Sequence, residues 1–252
     1  MKKLFNFIIS LVLLCGFGAI SITTQAYTSY AQMEKDADLL YAKMQEFLSE
    51  NRDLSYEQFE EACRKRMLKD KQGPKILEKE DFKKEALNKL VLYRGFDTKE
   101  HADELKKGII FIGSIINNQR GQGIYTSNMK ALAKNFANLS YYDDYGNLVL
   151  CNENDNIVTM FFNKNAKIME FTYLKELIRI IKNKHHINLD RYYNYDHDIS
   201  NQEALFLNSG LLAKFLDYDI VLSKYSDAPE YSLSDASMEY LIVNSNILNI
   251  CK

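Results

Sequence analysis

The chain has 252 residues, 46% hydrophobic and 26% charged, with a net charge of −2. These are ordinary values for one large globular domain, or one domain with a helical extension. So small a net charge removes the electrostatic case for a nucleic-acid partner, and four cysteines without metal-ligand spacing are neither a disulfide scaffold nor a zinc frame.

The first element is a leader. Lys2 and Lys3 precede an apolar run from Leu4 to Ile20, and a short polar stretch then ends in small residues. That is the order of a secretory signal peptide over residues 1–26, cleaved after Ala26, with Ala31 as the second choice. The run is about the shortest that spans a bilayer, so an uncleaved anchor is the lesser alternative. Lipidation at Cys15 is disfavoured by the large Leu14 before it. Removal of the leader takes away Lys2 and Lys3 and no acid, moving the net charge from −2 to −4. The expected location is secreted or periplasmic, with no stable membrane anchor once the leader is cleaved. The mature chain keeps Cys63, Cys151 and Cys251, an odd number, so at least one thiol stays free in an oxidising compartment.

An N-terminal helical segment is expected over residues 27–75. Met33, Ala37, Leu40, Met44 and Phe47 recur at helical spacing. Ser55 with Gln58 forms a capping box, after which Phe59, Cys63 and Met67 share one face. Gly73-Pro74 breaks the pattern. The plain role of this segment is packing. From residue 82 the pattern changes to mixed helices and short strands, an α+β arrangement. A helix around Phe82 to Leu90 runs into the strand LVLYRG, and a helix over 98–107 stops at Gly108. IIFIGSII and GIYTS read as strands, and NMKALAKNFA as a helix with Met129, Leu132, Ala133 and Phe136 inward. NLVLC, NIVTMFF and AKIMEF read as strands, 172–183 and NQEALFLNSGLLAKFL as helices, and YDIVLS, EYLIV and NILNI as the last strands.

Three short stretches carry candidate chemistry. In Leu92-Tyr93-Arg94-Gly95 an arginine ends an apolar strand, where its planar fork suits phosphate or carboxylate, although many such arginines only snorkel or pair. In GQGIYTS the glycines permit close approach to the backbone, and Tyr125 and Ser127 share a strand face; a capping serine and a core tyrosine are the simpler roles. Near the C-terminus Glu239 opens an apolar strand, where a carboxylate is costly unless it is paired, working or exposed at the strand end.

In this order, Arg94, Tyr125-Thr126-Ser127 and Glu239 resemble the Arg–Ser–Glu pattern of ADP-ribosyltransferases of the cholera-toxin-like branch, over residues 88–250. The resemblance implies a split β-sandwich of two small sheets with flanking helices, forming a catalytic domain over 82–252. It implies NAD as substrate and an unknown macromolecular target, a protein, and so a toxin or effector. Glu239 would steady the ribosyl cation, Ser127 would position Glu239, and Arg94 would bind phosphate oxygens. Gly95, Thr126, Tyr125 and Phe136 would line the dinucleotide site, the last two near nicotinamide. The chain departs from the family pattern at Tyr125, where a serine is usual, and at Ser237, where arginine-modifying members carry a second glutamate. Slow transfer, NAD hydrolysis, or a catalytically degenerate exported NAD-binding or cell-envelope protein are therefore alternatives. The loop from Ser223 to Ala236, with Tyr225 and Tyr231, would meet the target. His185-His186 and Asp196-His197-Asp198 lack a metal-binding frame, so no metal is expected.

Overall fold

The computed structural model describes residues 29–69, 73–110, 112–113, 115, 121–137, 141–142, 148–149, 156–188, 199–224 and 238–252. The expected signal peptide, Cys15, Cys151, the Asp196–Asp198 run and the stretch holding Tyr225, Tyr231 and Ser237 lie outside these residues.

Helix α1 (Tyr30–Glu50) starts under the Ser29 hydroxyl, and α2 (Tyr56–Leu68) starts with the full Ser55–Gln58 capping box. Two backbone N–H groups that the first turn leaves orphaned are thereby satisfied reciprocally. Ser55→Ala should cost about 1 kcal/mol of stability in urea unfolding. The buried faces are as spaced in the sequence: Ala37, Leu40, Met44 and Phe47 on α1, and Phe59, Cys63 and Met67 on α2. They share one hydrophobic cluster with α6 (Phe171–His185), α7 (Asn201–Leu207) and α8 (Ser209–Phe215). Cys63 lies deep in this layer, and burial pushes its thiol pKa up to about 12.

The strands are β1 (Lys75–Leu77), β2 (Val91–Gly95), β3 (Ile124–Ser127), β6 (Ile157–Phe162), β7 (Ile168–Glu170), β8 (Ile220–Lys224), β9 (Met238–Ile242) and β10 (Leu248–Cys251), with a separate ribbon of β4 (Tyr141–Tyr142) and β5 (Leu148–Val149). The first eight form one mixed sheet ordered β1-β10-β6-β2-β3-β9-β8-β7, parallel only at β1–β10 and β7–β8. The fold is α+β, and the strands join in this single ladder where two small sheets were expected.

The ladder has a weak seam. β2 pairs with β6 at five positions from Val91 to Gly95, but with β3 only at Tyr93↔Ser127. Two four-stranded halves are therefore joined by one residue pair. They fold over a common interior. Leu92, Val158, Met160, Leu248 and Ile250 from one half cluster with Ile124, Ile220, Tyr240 and Ile242 from the other. The rings of Phe162 on β6 and Tyr240 on β9 lie 6.3 Å apart, whereas three strand spacings in a flat sheet separate their strands by about 14 Å. Short helices cover the outer face of the first half. Phe82 of α3 (Lys79–Glu85) packs on Phe161, and Ala133 and Ala137 of α5 (Lys130–Ala137) pack on Ile157. The helical layer around α1 and α6 covers the outer face of the second half at Val221 and Leu241.

The apolar run after Gly108 is not a strand at its described positions. Ile112 and Ile115 are buried against the helical layer. The backbone there bonds α2 side chains, with Arg64 Nε donating to the Ile112 carbonyl (3.2 Å) and the Ile115 N–H donating to Glu60 Oε1 (2.6 Å). Polar groups that a neighbouring strand would satisfy are thus met by a helix face.

Candidate functional site

The three motifs, distant in sequence, lie on three consecutive strands, β2, β3 and β9. Register then fixes their relation. Tyr93 pairs with Ser127, Ser127 with Glu239, and Glu239 with Ser223 on β8. Directly paired residues project to the same face, so Tyr93, Ser127, Glu239 and Ser223 form a row across the outer face. It runs between α5 on one side and the helical layer beneath Leu241 on the other.

Several bonds set this row in place. Ser127 Oγ accepts from the Met129 N–H (3.0 Å), bending the chain out of β3 and into α5. Asn128 Oδ1 accepts from the Met238 N–H (3.0 Å), which pins β9 one residue before Glu239. Ser127 is 5% and Glu239 8% exposed, so the carboxylate is largely withdrawn from water. In such surroundings its interaction with a developing cation is strengthened.

Arg94 is placed differently. It pairs with Val158, an interior residue, so the pleat sends it to the face opposite Tyr93 and Glu239. Its guanidinium lies 4.7 Å from the Phe96 ring centroid and makes no hydrogen bond or ion pair among the described residues. Burial lowers its pKa to about 10, with the Tyr125 hydroxyl and the Asp97 carboxylate acting the other way. Asp97 itself is held by His101 (3.0 Å), and that bond keeps its pKa below the usual carboxylate range. Pairing between β2 and β3 ends at Tyr93↔Ser127, so Arg94 stands at the open part of the seam.

The other expected ligand contacts also have places in the fold. A methyl built on Gly95 would sit 1.9 Å from the Ala133 carbonyl oxygen of α5, so this glycine lets that helix pack directly on β2. Thr126 turns to the interior face and donates to the Tyr240 carbonyl (3.0 Å). Thr126→Val should therefore cost about 1 kcal/mol in urea unfolding, the worth of one such bond. Tyr125 packs against the helical layer and donates to the Gly121 carbonyl (2.7 Å). Phe136, expected inward, is 49% exposed. The buried side of α5 is instead Leu132, Ala133 and Ala137, small enough for the helix to lie on Gly95.

The glycines of GQG also serve the fold. Gly121 has φ of 78° and lies against Asn208, at the α7–α8 junction. Between the glycines, Gln122 is fully buried; its N–H donates to Asn208 Oδ1 (3.0 Å), and Asn208 Nδ2 donates to Gln122 Oε1 (3.0 Å). The group that approaches this backbone is thus the chain's own helical layer. Sequence reasoning set Ser223 at the head of the target-meeting loop, whereas it lies within β8 opposite Glu239, and it passed over Asn128. Their only signal is their place across a strand pair, which becomes visible once the register is known.

Among the described residues no helix is long and apolar enough to cross a membrane, and no cluster of His, Cys, Asp and Glu is arranged to hold a metal. His185 stacks on Tyr41, with ring centroids 3.7 Å apart. Comparison with known protein families, with curated proteins and with solved structures finds no match.

Proposed function

We propose that this chain is an exported NAD-dependent mono-ADP-ribosyltransferase, or an NAD glycohydrolase, with Glu239 as its catalytic carboxylate. One observation carries the reading. Three motifs picked by their order in the sequence fall on adjacent strands, with Ser127 and Glu239 directly paired. The two half-sheets folded over one interior suit the split sandwich of that family.

The chemistry follows from the placement. The bond between nicotinamide nitrogen and ribose C1′ breaks, its electron pair leaves with neutral nicotinamide, and C1′ becomes oxocarbenium-like. Glu239 supplies a negative charge beside that carbon from a position largely withdrawn from water. An acceptor nucleophile, or water in hydrolysis, then bonds to C1′ and gives up its proton. Tyr93 and Glu239 lie two strand spacings apart, about 10 Å. In this reading Arg94, next to Tyr93 at the seam, meets the phosphates of a dinucleotide whose ribose meets Glu239 only by turning away from the Phe96 ring. Its opposite facing requires the guanidinium to approach through the open part of the seam.

Incubation of the protein lacking residues 1–26 with nicotinamide-labelled NAD tests the proposal. Nicotinamide release that depends on Glu239 supports it. Saturable NAD binding without release indicates a binding protein that has lost the reaction, and no binding at all ends the reading.

A further inference from the structure

We propose that Asn128 is a positioning residue for Glu239, acting through the backbone of β9; this rests on the reading of Glu239 given above. The β3–β9 ladder ends at Ser127↔Glu239, whereas β9 stays paired to β8 for one residue more, at Lys224↔Met238. Beyond Ser127 the chain leaves the sheet, because Ser127 Oγ accepts from the Met129 N–H and starts the bend into α5. Were β3 one residue longer, position 128 would oppose Met238. Asn128 puts a side-chain carbonyl where the departing strand would have put a backbone one. Its Oδ1 accepts from the Met238 N–H (3.0 Å) in a part-buried bond. β9 is thus held from both sides up to the residue before Glu239, although β3 has already turned away. The Met238 side chain adds a third hold, since it packs against the interior cluster. Asparagine suits the place, being at ease in a turn and carrying an amide oxygen that copies the peptide carbonyl.

Glu239 follows directly on this anchor. Its carboxylate ends a side chain of three rotatable bonds, so a small rotation of the strand end becomes a larger shift of the charge. A misplacement of about 1 Å can cost about 100-fold in rate. A turn bond that served only stability would act otherwise: its loss would leave a less stable protein whose folded fraction turns over normally.

The test is steady-state release of labelled nicotinamide by the protein lacking residues 1–26, beside ¹H–¹⁵N spectra of samples labelled with ¹⁵N-methionine. The Met238 amide is assigned by difference against Met238→Leu. Asn128→Ala should move that amide and lower kcat about 10-fold. KM for NAD should stay within about twofold, since the lost bond serves the transition state and not substrate binding. Asn128→Asp keeps an accepting oxygen in the same place, and should restore most of kcat at a pH where both carboxylates are ionised. A folded Asn128→Ala protein with a moved amide and unchanged kcat overturns the proposal. So does an amide that does not move, or a loss in Asn128→Asp as deep as in Asn128→Ala. Should Asn128→Ala fail to fold, Asn128→Ser takes its place with the same expectation, because serine suits a turn but its hydroxyl ends one bond short of Oδ1. A parent protein that releases no nicotinamide removes the transferase reading and this role with it. An active parent matched in kcat by its Asn128 variants removes this role alone.

Discussion

Glu239→Gln should lower nicotinamide release at least about 100-fold, by analogy with the loss of a single oxyanion donor elsewhere, while the protein stays folded. Glutamine has the same shape and keeps polar contacts with its strand neighbours, but it carries no charge to offset an oxocarbenium centre. Glu239 is nearly buried, at 8% exposure, between β3 and β8, so stability is followed beside activity. The measurement is release of labelled nicotinamide beside urea unfolding of the same preparation. Retained release in a folded Glu239→Gln protein removes Glu239 from catalysis. A loss of both release and stability would make the carboxylate a structural partner instead.

The sequence made the helices and most strands legible because their signals are local. The spacing of Phe59, Cys63 and Met67 and the Ser55–Gln58 box report a helix without any knowledge of its partners. Where a partner decides the outcome, local reading falls short. Ile109 to Ile116 looks like a buried strand, yet at Ile112 and Ile115 its backbone is satisfied by Arg64 and Glu60 of α2. Periodicity does not separate these two ways of burying an apolar run. Phe136 has inward spacing with Leu132 and Ala133, but α5 touches β2 so closely at Gly95 that only alanines fit between them. The glycines of GQG do announce a close approach, but what approaches is Asn208, 86 residues away from Gln122, and not a ligand.

The candidate site divides in the same way. The order of Arg94, Ser127 and Glu239 is visible along the chain, whereas the pairing of Ser127 with Glu239 depends on which strands become neighbours. Arg94 and Tyr93 alternate by the pleat, but which of them shares a face with Glu239 is decided by the single pair Tyr93↔Ser127. Ser223 could be matched to Glu239 only through a strand register that the intervening stretch conceals.

Gly210→Ala should destabilise the protein by about 2–4 kcal/mol, although alanine is the better helix former by about 1 kcal/mol. Gly210 is the second residue of α8, where that preference alone favours the substitution. A Cβ there, however, would sit 1.8 Å from the carbonyl oxygen of Gln122 and 3.0 Å from its carbonyl carbon. Both atoms belong to backbone, so no rotamer change relieves the overlap. Gln122 is also held from three sides: Asn208 Oδ1 accepts its N–H (3.0 Å), Asn208 Nδ2 donates to Oε1 (3.0 Å), and Nε2 donates to the Glu60 carbonyl (3.3 Å). To admit the methyl, the segment leading into β3 must shift and lengthen these buried bonds, each costing about 1–3 kcal/mol when left unmade. Steric conflict thus outweighs helix propensity. For a chain of this size the expected fall in Tm is about 5–15 °C by calorimetry. Gly73→Ala is the contrasting case. Its Cβ would meet nothing within 4 Å, and only the φ of 84° opposes it, for a cost of about 1 kcal/mol. If Gly210→Ala were as stable as the parent, α8 would not abut Gln122. β3 would then lose the abutment that fixes its position from its N-terminal side, and with it the placement of Ser127 against Glu239.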